Sequence, residues 1–307
     1  MHTQDGLGRP QFDRVAAILV NWNSADDCLR CSKGILELYP DIKVVVVDNG
    51  SELDDLKRLE SELPTQVELI ARASNDGYGV GINAGLEHAH VLGAHWAWLT
   101  NPDSTVGAGS LEELLLLADG SVAVGPRQTT TSVDGRRKVY ASAARLVGSR
   151  VVPVVCDGTC SAGYHDVDVL TGTGLLIGVG AALQAGLMNS QFFHYKEEFE
   201  FLERLRRLGK VRLACRAEVW HERGGSLAHG SPLASFYKIR NELLYLNLRG
   251  YRWYSPRLLR FTMLTLLGFA LGRGAGFRVR VLALWAGMRK EGGRYSGSLP
   301  GARGEAR

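Results

Sequence analysis

Several stretches of this chain combine residue types and spacing that could do chemistry. LTNPDST (Leu99–Thr105) ends an apolar run, HWAWL, on a carboxylate, Asp103. VVVVDNGS (Val44–Ser51) does the same with Asp48. A carboxylate at a strand tip can accept hydrogen bonds from hydroxyls or ring nitrogens, or hold a divalent cation against phosphate oxygens. HYKEEFEF (His194–Phe201) sets two acids side by side, Glu197 and Glu198, available for general acid–base work. HDVDV (His165–Val169) holds a literal D-x-D through Asp166 and Asp168. NDGYGVGINAG (Asn75–Gly85) concentrates glycine and asparagine. Within it, Gly79, Gly81 and Ala84 satisfy the G-x-G-x-x-A dinucleotide fingerprint. That fingerprint should follow a strand directly, yet Asn75–Tyr78 intervenes here, and the motif falls after the third strand rather than the first.

The elements that must position these residues alternate in kind. RVAAILVN, DIKVVVVD, VELIARAS and HWAWLTNPD read as buried strands. DDCLRCSKGILEL, DDLKRLESEL, INAGLEHAHVLG and GSLEELLLLAD read as the helices between and after them. Strand–helix alternation predicts a mainly parallel α/β sheet. In such sheets ligands bind beyond the carboxyl ends of the strands, where Asp48 and Asp103 stand. After SVAVGPRQ the pattern weakens, and Thr129–Val167 reads as turn-rich. VDVLTGTGLLIG reads as a returning strand, QFFHYKEEFEFLERLRRLG as a charged helix, and VRLACRAEVWHERGGS as a last strand and loop. From ASFYKIRNELLYLNLRG onward the chain reads as helical and basic.

With 307 residues, 45% hydrophobic and 22% charged, the chain is in the range of a globular protein with a sizeable core. Its polar opening, MHTQDGLGRPQFDR, lacks the apolar run of a secretory leader. The five cysteines show no paired zinc-ligand spacing. Cys28 and Cys31 recur with Ile35 and Leu38 at helical spacing and read as core positions. This usage suggests a reducing, cytoplasmic setting. Residues 251–307 carry eleven Arg and Lys against two Glu, while the chain as a whole carries +4. A basic tail behind an acidic body points to an anionic surface.

VNWNS, VVVVDNGS, NDGYGVGINAG, NPD, GTGLLI, FFHYKEEFEFLERL and WHERGGS occur in this order over Val20–Ser226. Together they resemble family 2 glycosyltransferases of GT-A fold, especially bacterial rhamnosyltransferase-like members. FYKIRNELLY (Phe236–Tyr245) is similar to the segment that follows the catalytic domain in that group. The resemblance implies a GT-A-type α/β fold: a nucleotide-sugar-binding, mixed but mainly parallel sheet flanked by helices, with a C-terminal helical extension. It implies a catalytic domain over 1–235 and a basic helical extension over 236–307. The implied reaction is an inverting, metal-dependent sugar transfer. The donor would be a nucleotide diphosphate sugar (UDP- or dTDP-linked, with rhamnose one candidate sugar) and the acceptor a glycan, a lipid-linked molecule or a metabolite.

Carried over residue by residue, the resemblance assigns Asp48 to the base or ribose, with Asn21 and Asn23 beside it. Asn75, Gly79, Gly81 and Asn83 belong to the donor side, with backbone approaching the donor closely, and Asn101 flanks the diphosphate. Asp103 corresponds to the last acid of a shortened D-x-D and would hold Mn2+ or Mg2+ together with His221. Imidazole suits manganese better than magnesium. Gly172, Thr173, Glu197 and Trp220 would line the acceptor side. Glu198 would be the base, at a place where the family usually has Asp. That departure is the one support for a donor-binding scaffold without turnover. An NAD-dependent oxidoreductase is the other alternative, resting on the glycine fingerprint alone.

The tail RLLRFTMLTLLGFALGRGAGFRVRVLALWAGMRK (Arg257–Lys290) has a longest charge-free run, Phe261–Gly272, too short for the ~20 residues of a bilayer span. It reads either as a peripheral contact at the inner face of the plasma membrane or as a helical subdomain or homodimer contact. Nucleic acid is not expected, because base-stacking aromatics are not interleaved with its arginines.

Overall fold

The core is built outward from β1 (Val15–Asn21), whose seven residues are all buried. A strand covered on both faces belongs in the middle of a parallel sheet. In this computed structural model, residues 11–131, 136–147, 150–221, 231–251, 256–270 and 276–299 are described. α1 (Ala25–Leu38), β2 (Lys43–Asp48), α2 (Leu53–Glu62), β3 (Val67–Ala71), α3 (Tyr78–Val91) and β4 (Trp96–Thr100) follow. β3, β2, β1 and β4 lie side by side and parallel, with Asn21 opposite Asp48 in the register. The period-2 alternation of β1 divides the core. Ala16, Ile18 and Val20 face a cluster with Ile82 and Leu86 of α3. Val15, Ala17 and Leu19 face one with Cys28, Cys31 and Ile35 of α1. The C-x-x-C pair is therefore core. Burial pushes both thiols up, Cys31 to about 12, so neither is a reactive thiolate at neutral pH.

The second half of the sheet is mixed. β5 (Ser104–Val106), α4 (Ser110–Leu116), β6 (Ser121–Thr131), β7 (Arg137–Tyr140), β8 (Ala143–Val147), β9 (Arg150–Val154), β10 (Tyr164–Val167), β11 (Val169–Leu170), β12 (Leu175–Gly178), α5 (Val179–Gln184), α6 (Glu197–Leu205) and β13 (Lys210–His221) continue the chain. The strand order is β10-β13-β6-β12-β4-β1-β2-β3, with β5 on β13 and β7 on β6. β12 enters antiparallel between β4 and β6. β8, β9 and β11 form a separate three-stranded sheet. The span 129–167, expected as turn-rich, thus holds most of four strands. Their signal is weak because β9 exposes four of its five residues, which removes the apolar run that marks a buried strand. The expected single strand over 167–178 is broken at Thr171–Gly174, where Gly174 takes φ 74°.

α7 (Pro232–Leu248), α8 (Pro256–Ala270) and α9 (Phe277–Met288) complete the chain. α7 begins at a Ser231 cap that accepts from Ala234 N–H, with Pro at the first helical turn. Phe236, Tyr237 and Ala283 pack on Phe193, while Leu243 and Leu284 pack on Phe192. No helix among the described residues is long and apolar enough to cross a membrane.

α3 lies unusually close to β1. A Cβ at Gly85 would stand 2.4 Å from Ile18 Cγ2, and one at Gly81 2.8 Å from Val20 Cγ1. Gly85→Val should therefore lower the unfolding free energy by about 1–3 kcal/mol through overpacking. A denaturant midpoint unchanged from wild type would contradict this.

Candidate functional site

The strand-end carboxylates and the paired glutamates gather at the carboxyl edge of the sheet. Asn21 and Asp48, register partners at the ends of β1 and β2, are both fully buried. The Asn21 amide donates to Asp48 Oδ1 at 2.9 Å, Ser51 Oγ at 3.1 Å and Asp55 Oδ2 at 2.8 Å. Asp48 also accepts from Ser51 N–H and Ser51 Oγ. Asn23, at φ 52°, accepts from Glu52 N–H and donates its own N–H to Ser51 Oγ. Asn21 thus acts on the loop that carries Asp48.

The asparagines and glycines of NDGYGVGINAG hold the chain to itself. Asn75 Oδ1 accepts from Gly77 N–H at 3.0 Å and from Asn49 Nδ2 at 3.1 Å. Asn49, absent from the expected set, is buried and also accepts from Arg72 at 2.7 Å. Asn83 clasps the Met188 backbone with two bonds of 2.8 Å. Gly79 and Gly81, expected on the donor side, also allow close packing within the chain. Gly79 faces Met188 and Glu197, and Gly81 faces Val20.

Asp103 sits in the turn between β4 and β5. Ser104 N–H and Oγ both donate to the Asn101 carbonyl, at 3.1 and 2.6 Å. β5 pairs antiparallel with β13, so His221 lies opposite Ser104. This register puts the backbone of His221 beside that of Ser104, the residue after Asp103, across 117 residues of sequence; the His221 side chain, like residues 222–226 of WHERGGS, lies outside the described residues. A carboxylate with an imidazole on the facing strand is a donor set that suits a divalent cation of the manganese type.

Glu197 and Glu198 open α6. Glu197 is buried, with Oε2 lacking a hydrogen-bond partner. Two effects compete on these carboxyls. Amides of the helix start hold them down, and burial raises them; burial prevails. Glu197 lies well above the usual range through burial and then through Glu198, and Glu198 is raised by burial. Glu198 rests on the broken strand: a Cβ at Gly172 would fall 2.5 Å from its Oε1. Gly172 and Glu198, expected on one side of the site, are thus in direct contact. Thr173 is buried, its carbonyl accepting from Gln128 at 3.0 Å, and Trp220 donates to Thr131 Oγ1 at 3.2 Å.

Tyr78, which the sequence reading passed over, joins these groups. Its phenol donates to Asn101 Oδ1 at 3.2 Å. Burial raises the phenol well above its usual range, and the charges of Glu198, Glu197 and Asp103 raise it further. The charges of acids from two distant segments therefore act on one phenol. The signal was present in DGYGVG, but nothing in one sequence shows that Tyr78 bonds Asn101.

The acid pair is held from the C-terminal helices. Tyr195 and Lys196, immediately before it, take φ of 70° and 78°, a conformation that costs about 1–3 kcal/mol per residue outside glycine. Buried Asn241 of α7 donates to both the His194 and Tyr195 carbonyls at 2.8 Å. Arg240 donates to Asn241 Oδ1 at 2.9 Å, and Lys196 pairs with Glu242 at 2.6 Å. Burial beside Lys238 lowers His194 to about 4, so its ring is neutral. The D-x-D acids lie elsewhere: Asp166 pairs with Arg212, and Asp168 with Arg206 and Leu146 N–H.

Residues 16–151 match the family model described as glycosyl transferase family 2. Among solved structures, the chain is similar to the crystal structure of GalNAc-T7 with UDP, GalNAc and Mn2+, at a TM-score of 0.58 and 14% identity. The fold is GT-A. The similarity covers 90% of this chain but only 56% of that one. No curated protein matches the chain in sequence. The family match takes in Asn21 to Asp103 and ends inside β9. Gly172, Glu198 and His221 lie beyond that match.

Because Glu197 is raised in the folded state, it stays protonated where an unfolded glutamate, near about pH 4.3, has ionised. Its contribution to stability is thus present below that pH and is lost as pH rises toward the folded value. Glu197→Gln should melt higher than wild type at neutral pH, with the difference vanishing below about pH 4. Equal melting temperatures across this range would show that Glu197 is not held neutral.

Proposed function

We propose that this chain is an inverting glycosyltransferase that moves a sugar from a nucleotide diphosphate donor to an acceptor hydroxyl. The observation that carries the reading is the buried acid pair at the head of α6, with Glu198 seated against Gly172 and the Tyr78 hydroxyl bonded to Asn101, two residues before Asp103. The family match over 16–151 supports the donor half of the site. UDP and Mn2+ in the GalNAc-T7 structure support a UDP- or dTDP-sugar and a manganese-type cation, with Mg2+ as the substitute. Rhamnose is one candidate sugar, by resemblance of the motifs; the acceptor is a glycan, a lipid-linked molecule or a metabolite.

In this proposal Asp48 receives the base or ribose, held in place by Asn21 and flanked by Asn23. Asn75 and Asn49 shape the turn above it, and Asn101 and Tyr78 face the diphosphate. Asp103 and His221 would hold the cation, which when bound supplies a Lewis acid for the departing diphosphate. Glu198 takes the acceptor hydroxyl proton as that oxygen bonds to the anomeric carbon. The bond from that carbon to the diphosphate breaks, and the nucleotide leaves with the electron pair. A carboxylate raised by burial is closer to the pH of its task than an ordinary glutamate. Gly172, Thr173, Glu197 and Trp220 form the acceptor wall.

We assign 1–235 to the catalytic domain and 236–307 to an extension that steadies the acid pair and meets an anionic membrane at the cytoplasmic face. Exposed Leu259, Met263 and Leu267 on α8, with Trp285 and Met288 on α9, support that contact, as does the tail's basic charge.

Glu198→Gln should slow transfer by about 10²-fold or more while leaving donor affinity unchanged. If it keeps wild-type turnover and Glu197→Gln loses it, the base is Glu197. Asp103→Ala should abolish the manganese-dependent thermal shift given by nucleotide sugar, which in wild type reaches ~2.7 kcal/mol at 100-fold over Kd. An undiminished shift would remove Asp103 from the cation site.

A further inference from the structure

Away from the acids, three cysteines and a histidine meet at the sheet edge. Ligand atoms of Cys156, Cys160, His165 and Cys215 all lie within 4.8 Å of one another. Cys156 and Cys160 come from the irregular segment between β9 and β10, His165 from β10, and Cys215 from β13. The ladder explains the meeting. β10 runs antiparallel to β13 with His165 opposite Leu213, and Cys215, two residues on, shares that face as its diagonal neighbour. The segment is shaped to return its sulfurs there. Asp157 accepts from Thr159 N–H at 2.9 Å, Gly158 and Gly163 take φ of 96° and 75°, and Cys215 N–H donates to the Gly163 carbonyl at 2.9 Å.

In the structure Cys160 and Cys215 form a disulfide, with Cα atoms 6.5 Å apart. This departs from the reducing setting that the cysteine usage suggests. A disulfide accounts for two of the four groups. It leaves the buried sulfur of Cys156 and the ring of His165 at the same point without a reason. A tetrahedral cation accounts for all four. Zinc bound at about 2.3 Å to sulfur and 2.0–2.1 Å to nitrogen places its ligand atoms roughly 3.5–3.8 Å apart, so the widest pairs close by up to about 1 Å while the two bridged sulfurs separate once reduced.

We propose that in the reduced chain Cys156, Cys160, His165 and Cys215 form a closed, structural Zn2+ site. Three thiolates and an imidazole are a soft donor set that selects zinc over the harder manganese-type cations. From the disulfide form, a thiol reductant supplies two electrons and leaves as its own disulfide, giving two thiols. Zn2+ then displaces three thiol protons and takes the neutral imidazole. The bound group carries a net charge of −1. Arg127 lies beside the group: its guanidinium packs against Gly158, between the first two ligands, while it pairs with Glu218. Cys160 and His165 are partly exposed, leaving an entry path. The metal would fasten the segment 155–163, whose Val155 is exposed, to the strand that also carries His221.

The test uses the full chain, expressed and purified with a thiol reductant and desalted. Elemental analysis should find about one zinc per chain, retained in Asp103→Ala and lost in Cys156→Ser. Cobalt supplied to the metal-stripped chain should give thiolate-to-metal charge-transfer bands and tetrahedral d–d bands. This second readout decides the matter on wild-type protein even where Cys156→Ser fails to fold. A chain without zinc, including one that keeps the Cys160–Cys215 bridge under reductant, overturns the proposal. So does cobalt bound without charge-transfer absorption.

Discussion

The site depends on two carboxyl groups being held side by side, away from water, at the head of one helix. Neighbouring acids in solution would ionise and repel. Here burial raises both above their usual range, outweighing the amides of the helix start that favour the charged forms. The arrangement persists because the backbone before it is over-determined. Two consecutive residues with positive φ, Tyr195 and Lys196, are fixed by both donors of one buried amide, Asn241. Strain of this kind is kept where surrounding structure pins it.

That constraint gives the C-terminal helices a part in the site. Arg240 fixes Asn241 and also donates to the Gly293 carbonyl at 2.7 Å, so chain beyond α9 steadies the turn before α6. Phe192 and Phe193, next to the strained turn, anchor the two apolar clusters of the helical region. A close approach at Gly287, where a Cβ would stand 2.6 Å from Leu243 Cβ, lets α9 lie against α7. The helices that present apolar residues outward are thus mechanically continuous with the acid pair.

The donor side is built differently. It needs no strained backbone beyond Asn23, because parallel strands end together and deliver their last residues to one edge. Asparagine amides then tie the loops to one another: Asn21 to 48, 51 and 55, Asn49 to 75 and 77, and Asn83 to 188. Asparagine suits this work because its amide both donates and accepts. Several residues read from the sequence as ligand contacts also support the residues beside them.

Much of this was legible in the chain itself. The all-apolar runs of β1 and β2 determined the central parallel strands, and the carboxylates that end β2 and follow β4 marked the carboxyl edge of the sheet, because burial on both faces leaves an uninterrupted local signature. The sequence also determined that Glu197 and Glu198 stand together at a helix start. It did not show β7 to β10, whose exposed residues erase the apolar pattern, nor that Gly79 and Gly81 serve packing. Only the tertiary structure decided which distant segments meet: Tyr78 beside Asn101, Asn241 under Tyr195, His221 across from Ser104, and Cys215 with Cys156, Cys160 and His165. Each of these is a cross-element contact set by strand register or helix docking, which local periodicity does not encode. The raised carboxyls have the same origin, since burial is a property of the assembled core.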